Sequence, residues 1–178
     1  MRVNVTPIRT ERLELVAFAP EAIRALIAGR RDEAERILGW NLPVEFPDAG
    51  DLEEFLPIQL KRMQEDPGRR DWMARLMVGK DEQGAVGHCG FHGPPDRIGR
   101  AEIGYTVFSQ FRGRGYAQEA AKGLVDFAFA RGEREVYAAV SPSNAPSLAV
   151  VRRLGFKQVG TQEDEVDGLE LVFVLRAG

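Results

Sequence analysis

The chain has 178 residues, 44% of them hydrophobic, which suits one compact domain with a full core and predicts a single domain over residues 1–178. Lysine and arginine number 24 against 27 acidic residues, the net charge is -3, and the basic residues form no long run, so the electrostatic footprint of a nucleic-acid binder is missing. The polar opening Met1-Arg2-Val3-Asn4 is no signal-peptide core, and no apolar stretch approaches the roughly 20 residues of a membrane helix; a soluble, cytoplasmic protein is expected.

In chain order, residues 11–16 read as a first strand, and Pro20-Glu21 opens an amphipathic helix to about Ala28. Asp32 to Leu38 predicts a second short helix. Gly39 to Gly50, with Pro43 and Pro47, reads as a loop before a helix from about Leu52 to Glu65 that Pro67-Gly68 ends. The pattern then changes to period two. Trp72 to Val78, Ala85 to Phe91 and Ala101 to Val107 read as an antiparallel meander with turns at Asp81 to Gly84 and Gly93 to Asp96. Ala117, Ala120, Ala121, Leu124 and Ala128 recur at helical spacing before a stop at Gly132. Val136 to Val140 is again a strand, and Asn144 caps a short helix that ends near Gly155. Lys157 to Gln162 and Leu169 to Leu175 close the chain as two strands. The expected fold is α+β: a mixed, mainly antiparallel sheet with flanking helices and a strand-helix-strand unit near its centre.

Chemistry concentrates in Gln110-Phe111-Arg112-Gly113-Arg114-Gly115-Tyr116-Ala117, between a strand and a helix. Two glycines open backbone angles closed to other residues, so several amides can converge on one anion, and the helix start adds unpaired donors. Taken alone, the segment equally describes a plain tight connection. A dinucleotide fingerprint needs a third glycine where Gln118 stands, and no Gly-Lys-Ser/Thr sequence supports a P-loop.

The Gln110-x-x-Gly113-x-Gly115-Tyr116-Ala117 stretch resembles the coenzyme A pyrophosphate loop of the GNAT superfamily of N-acetyltransferases. Thr10-Glu11-Arg12-Leu13-Glu14-Leu15 is similar to the opening strand of its RimJ/RimL-type branch, Glu102-Ile103-Gly104-Tyr105 to its central strand, and Asn144-x-x-Ser147-x-x-Val150-x-x-x-Leu154-Gly155-Phe156 to its last helix. These islands span residues 10 to 156. The resemblance implies acetyl-CoA as cosubstrate without a metal, and a central strand splayed from its neighbour with the pantetheine arm in the gap. It assigns Tyr105, Val107 and Phe108 to that arm, the amides of Arg112, Gly113, Arg114, Gly115, Tyr116 and Ala117 to the pyrophosphate, Asn144 to the pantetheine, and Arg114 or Arg153 to the 3′-phosphate. Many members carry a tyrosine five residues before the phenylalanine matched by Phe156, as acid for the departing thiolate; here Val151 stands there, which leaves Ser147, water or nothing. Val16 follows Leu15 where the family's opening strand usually has arginine. The acceptor implied is an amine of a protein N-terminus, an amino acid, a polyamine or an antibiotic, and a homodimer is an assembly common among relatives.

Amine acetylation needs a neutral nucleophile, an oxyanion site and a leaving thiolate. Glu102 is the candidate base, with burial expected to raise its pKa; a salt-bridged strand carboxylate is the plain alternative. Ser147 is the candidate acid or else a helix-start residue. Cys89, a lone strand cysteine, reads as packed core. His88 and His92 lie about 13 Å apart along a strand, too far to share a metal, and neither is paired in the sequence with an orienting carboxylate. The acids from Glu45 to Glu54 read as a solvated helix start. Two rivals remain open: a coenzyme-binding regulatory module without turnover, and a nucleotide-dependent oxidoreductase that Gln118 disfavours.

Overall fold

A computed structural model describes residues 5–178. The strands are β1 (Ile8–Arg9), β2 (Leu13–Ala17), β3 (Ala74–Gly79), β4 (Gly84–Phe91), β5 (Arg100–Val107), β6 (Glu135–Val140), β7 (Lys157–Asp164) and β8 (Gly168–Arg176). They form one sheet in the order β1-β2-β3-β4-β5-β6-β8-β7. Every neighbouring pair is antiparallel except β5 and β6, which run parallel as a strand-helix-strand crossover requires.

The α-helices are α1 (Pro20–Ile27), α2 (Arg31–Leu38), α3 (Leu56–Glu65), α4 (Tyr116–Ala130) and α5 (Ala145–Arg153). Alternation along the strands sends side chains to two cores. Leu13, Leu15, Met77, Val86, Phe91, Ala101 and Ile103 pack with α4 and α5, while Leu76, Val78, Ala85 and Phe108 pack with Phe18 and the apolar faces of α1 to α3. The sheet therefore carries α4 and α5 on one face and α1, α2 and α3 on the other.

Three local departures from the expected elements have physical causes. Pro67–Trp72 forms a 3₁₀ turn, so Trp72 is not part of the strand; from the turn its ring packs edge-on against Phe91 at 4.7 Å and Phe127 at 5.4 Å. The helix expected from Leu52 opens instead with a wide turn at Asp51–Phe55, in which Leu56 N–H donates to the Asp51 carbonyl five residues back. Residues 11 and 12 belong to a turn before β2, and the two-residue β1 is too short to show any period.

Pairing between β5 and β6 covers only Arg100 with Glu135, Ala101 with Val136 and Glu102 with Tyr137. Beyond Glu102 the two strands separate. β4 continues to hold the other edge of β5 up to Val107, so residues 103–107 turn one edge without a strand partner to the gap, where the Val107 carbonyl accepts from Arg112 Nε at 3.1 Å.

Candidate active site

The gap opens into a cleft of about 650 Å³ bounded by β5, the start of α4 and one side of α5. Tyr105 and Val107 line the strand wall. Arg112, Gly113, Gly115, Tyr116 and Ala117 line the end, and Asn144, Ser147 and Arg153 stand on α5 opposite. Two other residues assigned to coenzyme by resemblance stand elsewhere. Phe108 is buried in the α1–α3 core, and its N–H donates to the Val86 carbonyl at 2.9 Å. Arg114 turns away to Glu82, with 2.8 Å from Nη1 to Oε1, and to the Gln110 carbonyl at 3.2 Å. Among the described residues no carboxylate pairs with Arg153. Its cation is thus available at the cleft mouth.

The end of the cleft is built by backbone conformation. Gly113 and Gly115 both take left-handed φ values, +74° and +82°. The first hydrogen bond of α4 runs from Glu119 N–H to the Gly115 carbonyl at 3.1 Å, so the amides of Tyr116, Ala117 and Gln118 precede any helical acceptor. These donors and the positive helix end face the cleft as an anion cradle.

A strut from the chain start holds this cradle. Glu119 on α4 accepts from Thr10 Oγ1 at 2.6 Å and from Arg12 N–H and Nε, both at 2.7 Å. Arg12 Nη1 reaches the Arg114 carbonyl at 2.9 Å, and its guanidinium lies 4.8 Å over the Tyr116 ring. The Thr10-Glu11-Arg12 stretch thereby acquires a physical role: it clamps the glycine loop to the sheet. Arg12 and Glu119 are 107 residues apart, so no sequence spacing announces the contact.

On α5 the Asn144 side chain caps the helix by accepting from Ser147 N–H at 3.2 Å. Among the described residues no partner meets Ser147 Oγ, although the Tyr105 hydroxyl donates to the Ser147 carbonyl at 3.4 Å. Burial pushes the Tyr105 phenol up to about 12. Val151 is 1% exposed and packs into the α4–α5 core, so its side chain faces the sheet and no vacant acid position opens there into the cleft. Cys89 is likewise buried, with its thiol pushed up to about 12 by burial against a smaller opposing effect of the Arg75 charge.

Glu102 lies outside the cleft lining, where β5 and β6 are still paired and on the face opposite α4. Its Oε2 accepts from the Tyr137 hydroxyl at 3.0 Å, and its Oε1 lies 3.2 Å from His92 Nδ1. Burial acts to raise its pKa and is the largest single influence, but the hydrogen bonds from His92 and Tyr137, with the charges of His92 and Arg62, together hold it below the usual carboxylate range. This reverses the direction expected from burial alone. His92 also finds the carboxylate partner that sequence spacing did not indicate. On the same face, His88 sits among Phe46, Phe55 and Phe108, with Asp51 Oδ1 3.9 Å from its Nε2.

An anion cradle at a helix start, beside a strand edge freed by a split in the sheet, defines an acyl-transfer fold of the acetyltransferase class. The chain belongs to the acetyltransferase (GNAT) domain family, whose model matches residues 12–157. It is 30% identical over 151 residues to the Bacillus subtilis protein described as the uncharacterized N-acetyltransferase YjdG, covering 84% of this chain and 88% of that one. It is 34% identical to the uncharacterized N-acetyltransferase p20 of Bacillus licheniformis over 89 residues, which span 49% of this chain and 50% of that protein. Among solved structures the fold is similar to Mycobacterium smegmatis RimJ in complex with CoA-disulfide (TM-score 0.66, 21% identity, 97% of this chain and 87% of that one). It is also similar to the microcin C7 self immunity acetyltransferase MccE in complex with acetyl-CoA and AMP (TM-score 0.67, 17% identity, 99% and 100% covered).

Proposed function

We propose that residues 1–178 form one RimJ/RimL-type domain that transfers an acetyl group from acetyl-CoA to an amine in the cytoplasm. The observation that carries this reading is the meeting, in one cleft, of the glycine-loop amides and the strand edge that β6 leaves unpaired beyond Glu102. A diphosphate matches the first, and the amide groups of a pantetheine arm match the second by extending the ladder of β5. Tyr105 and Val107 border the arm, Asn144 and Arg153 meet it from α5, and the Arg153 cation matches the 3′-phosphate. Arg114 keeps its backbone role in the loop while its side chain serves Glu82.

The acceptor nitrogen attacks the thioester carbon, the tetrahedral intermediate collapses, and the C–S bond breaks. Glu102 anchors proton removal on the acceptor face. The Ser147 hydroxyl, which meets no partner among the described residues, supplies a proton to the departing thiolate. Solved structures of similar fold bear on the acceptor class: one is described as a ribosomal-protein-S5-alanine acetyltransferase from Vibrio fischeri, another as the microcin immunity enzyme. We assign this chain an amine of the same broad kind, whether a protein N-terminus, an amino acid, a polyamine or an antibiotic. Calorimetry with acetyl-CoA followed by thiol release on a panel of such amines tests the assignment. Binding without thiol release from any amine would make the chain a coenzyme-binding module instead.

A further inference from the structure

Along a strand the backbone groups of successive residues turn to opposite edges. Phe108 N–H turns to β4, where it meets the Val86 carbonyl at 2.9 Å, so the groups of Val107 turn to the gap. The Val107 carbonyl is not bare there, because Arg112 Nε, five residues on, donates to it at 3.1 Å. The chain returns to that point through the 3₁₀ turn Ser109–Phe111, in which Phe111 N–H donates to the Phe108 carbonyl at 2.9 Å. Arg112 then leaves the turn extended, with φ -64° and ψ 156°, immediately before left-handed Gly113. One residue thus spans both halves of the site: its backbone opens the glycine loop, and its side chain lies on the strand edge. Arg112 and Val107 both line the cleft. The Arg112 side chain is exposed, and among the described residues no carboxylate pairs with it, whereas Glu82 holds the neighbouring Arg114 at 2.8 Å.

A guanidinium tethered to the Val107 carbonyl stands where an amide of a bound arm would donate, and its charge meets only a neutral acceptor. Phosphate oxygens at the glycine loop change both conditions together, since a guanidinium bonds an anionic oxygen more strongly than a carbonyl and matches its geometry. We propose that Arg112 is an exchange residue that selects which ligands reach the strand edge: it plugs the Val107 carbonyl until a diphosphate draws the guanidinium away, and the freed carbonyl then accepts from an amide of the pantetheine arm. The inference rests on the acetyl-CoA reading and deepens it, because the phosphates become the key to the edge on which the arm lies. Selection follows from the difference between two displacements. An acyl thioester without phosphates has to remove the guanidinium from its carbonyl and offers it nothing in return. The full coenzyme gives the same guanidinium a charged acceptor in place of a neutral one, within reach of the same side chain.

The two sides of the exchange carry opposite signs in Arg112→Met, which keeps an unbranched stem and removes the guanidinium. Calorimetry should show Kd for acetyl-CoA raised about tenfold, and less sensitive to salt than in the parent. Kd for S-acetylpantetheine, which has no phosphate, should instead fall about two- to threefold, because the carbonyl stands open. A second readout needs no variant: in NMR of the parent, inorganic pyrophosphate alone should shift the Arg112 Nε–H signal and the Val107 carbonyl carbon together. Affinities for both ligands that weaken together, or that both stay parental, overturn the plug. Tighter S-acetylpantetheine binding with parental acetyl-CoA affinity shows a guanidinium that blocks the edge but takes no phosphate, and overturns the exchange. A parent that binds acetyl-CoA while pyrophosphate leaves the Val107 carbonyl unmoved overturns the exchange alone. A parent that binds neither acetyl-CoA nor pyrophosphate overturns the acetyl-CoA reading and the exchange with it.

Discussion

His88 stacks on Phe55 with ring centres 4.5 Å apart and tilts against Phe46 at 5.4 Å. Burial lowers its pKa from 6.5 to about 4, with a smaller opposing effect from Asp48. The unfolded chain therefore takes up a proton that the folded chain refuses, so stability falls as pH drops from 6.5 toward about 4 and levels off below that. Glu102 acts in a lower window. Its folded pKa lies below the ordinary 4.5, so its contribution is present above that value and lost as pH falls through the depressed one. The two effects separate experimentally. His88→Phe, which prolongs the aromatic stack without titrating, should flatten the fall in Tm between pH 6.5 and 4. A variant with the parental slope would mean that His88 is accessible to protons in the folded state.

At the scale of elements, the cradle depends on glycine conformation and on the strut behind it. A Cβ at position 113 would meet no atom within 4 Å, so the strain at Gly113→Val comes from its φ of +74° and not from crowding. Gly115→Val adds a contact at 3.3 Å with Arg12 to a φ of +82°. Both should weaken acetyl-CoA binding at least about tenfold, or 1.4 kcal/mol. Arg12→Ala should weaken it as well, by releasing the Arg114 carbonyl and Glu119, while Lys61→Ala on the far face serves as the control. Parental affinity in all three cradle and strut variants would remove the pyrophosphate from this loop. On α5 the cap belongs to Asn144, so Asn144→Ala should cost about 0.5 to 2 kcal/mol. Ser147→Ala should leave Tm unchanged, because among the described residues its hydroxyl makes no bond that supports the helix, and lower turnover if it protonates the thiolate. Unchanged turnover would mean that the sulfur departs unaided or takes its proton from water.

For the whole molecule, what the sequence revealed depended on how local each signal was. The period-two runs of β3 to β5 and the helical spacing of α4 are visible because neighbouring residues state them, and the glycine loop is a continuous segment. The wide turn at Asp51–Phe55 has no composition of its own, and Trp72 continues an apolar run that only its packing against Phe91 and Phe127 removes from the strand. Glu102, His92 and Tyr137 come from β5, the end of β4 and β6, and their meeting depends on strand register. That register is invisible until the strands are paired.

The same architecture makes the two halves of the sheet hang together through three β5–β6 pairs and the helices beside them. A coenzyme whose arm lies against residues 103–107 and whose far side meets α5 would tie those halves across the split. Saturating acetyl-CoA at about 100 times its Kd adds about 2.7 kcal/mol by mass action, which for a chain of 178 residues corresponds to a rise in Tm of roughly 5 to 10 °C. The location of the gain matters more than its size. Hydrogen exchange should slow at Tyr105 to Val107 and in the first turn of α4, and also in α5 and along β6 beyond Tyr137, since the bound arm restrains both sides of the opening. Protection confined to the glycine loop would show a nucleotide held by its phosphates alone, with the split left open and the acyl group far from Gly104.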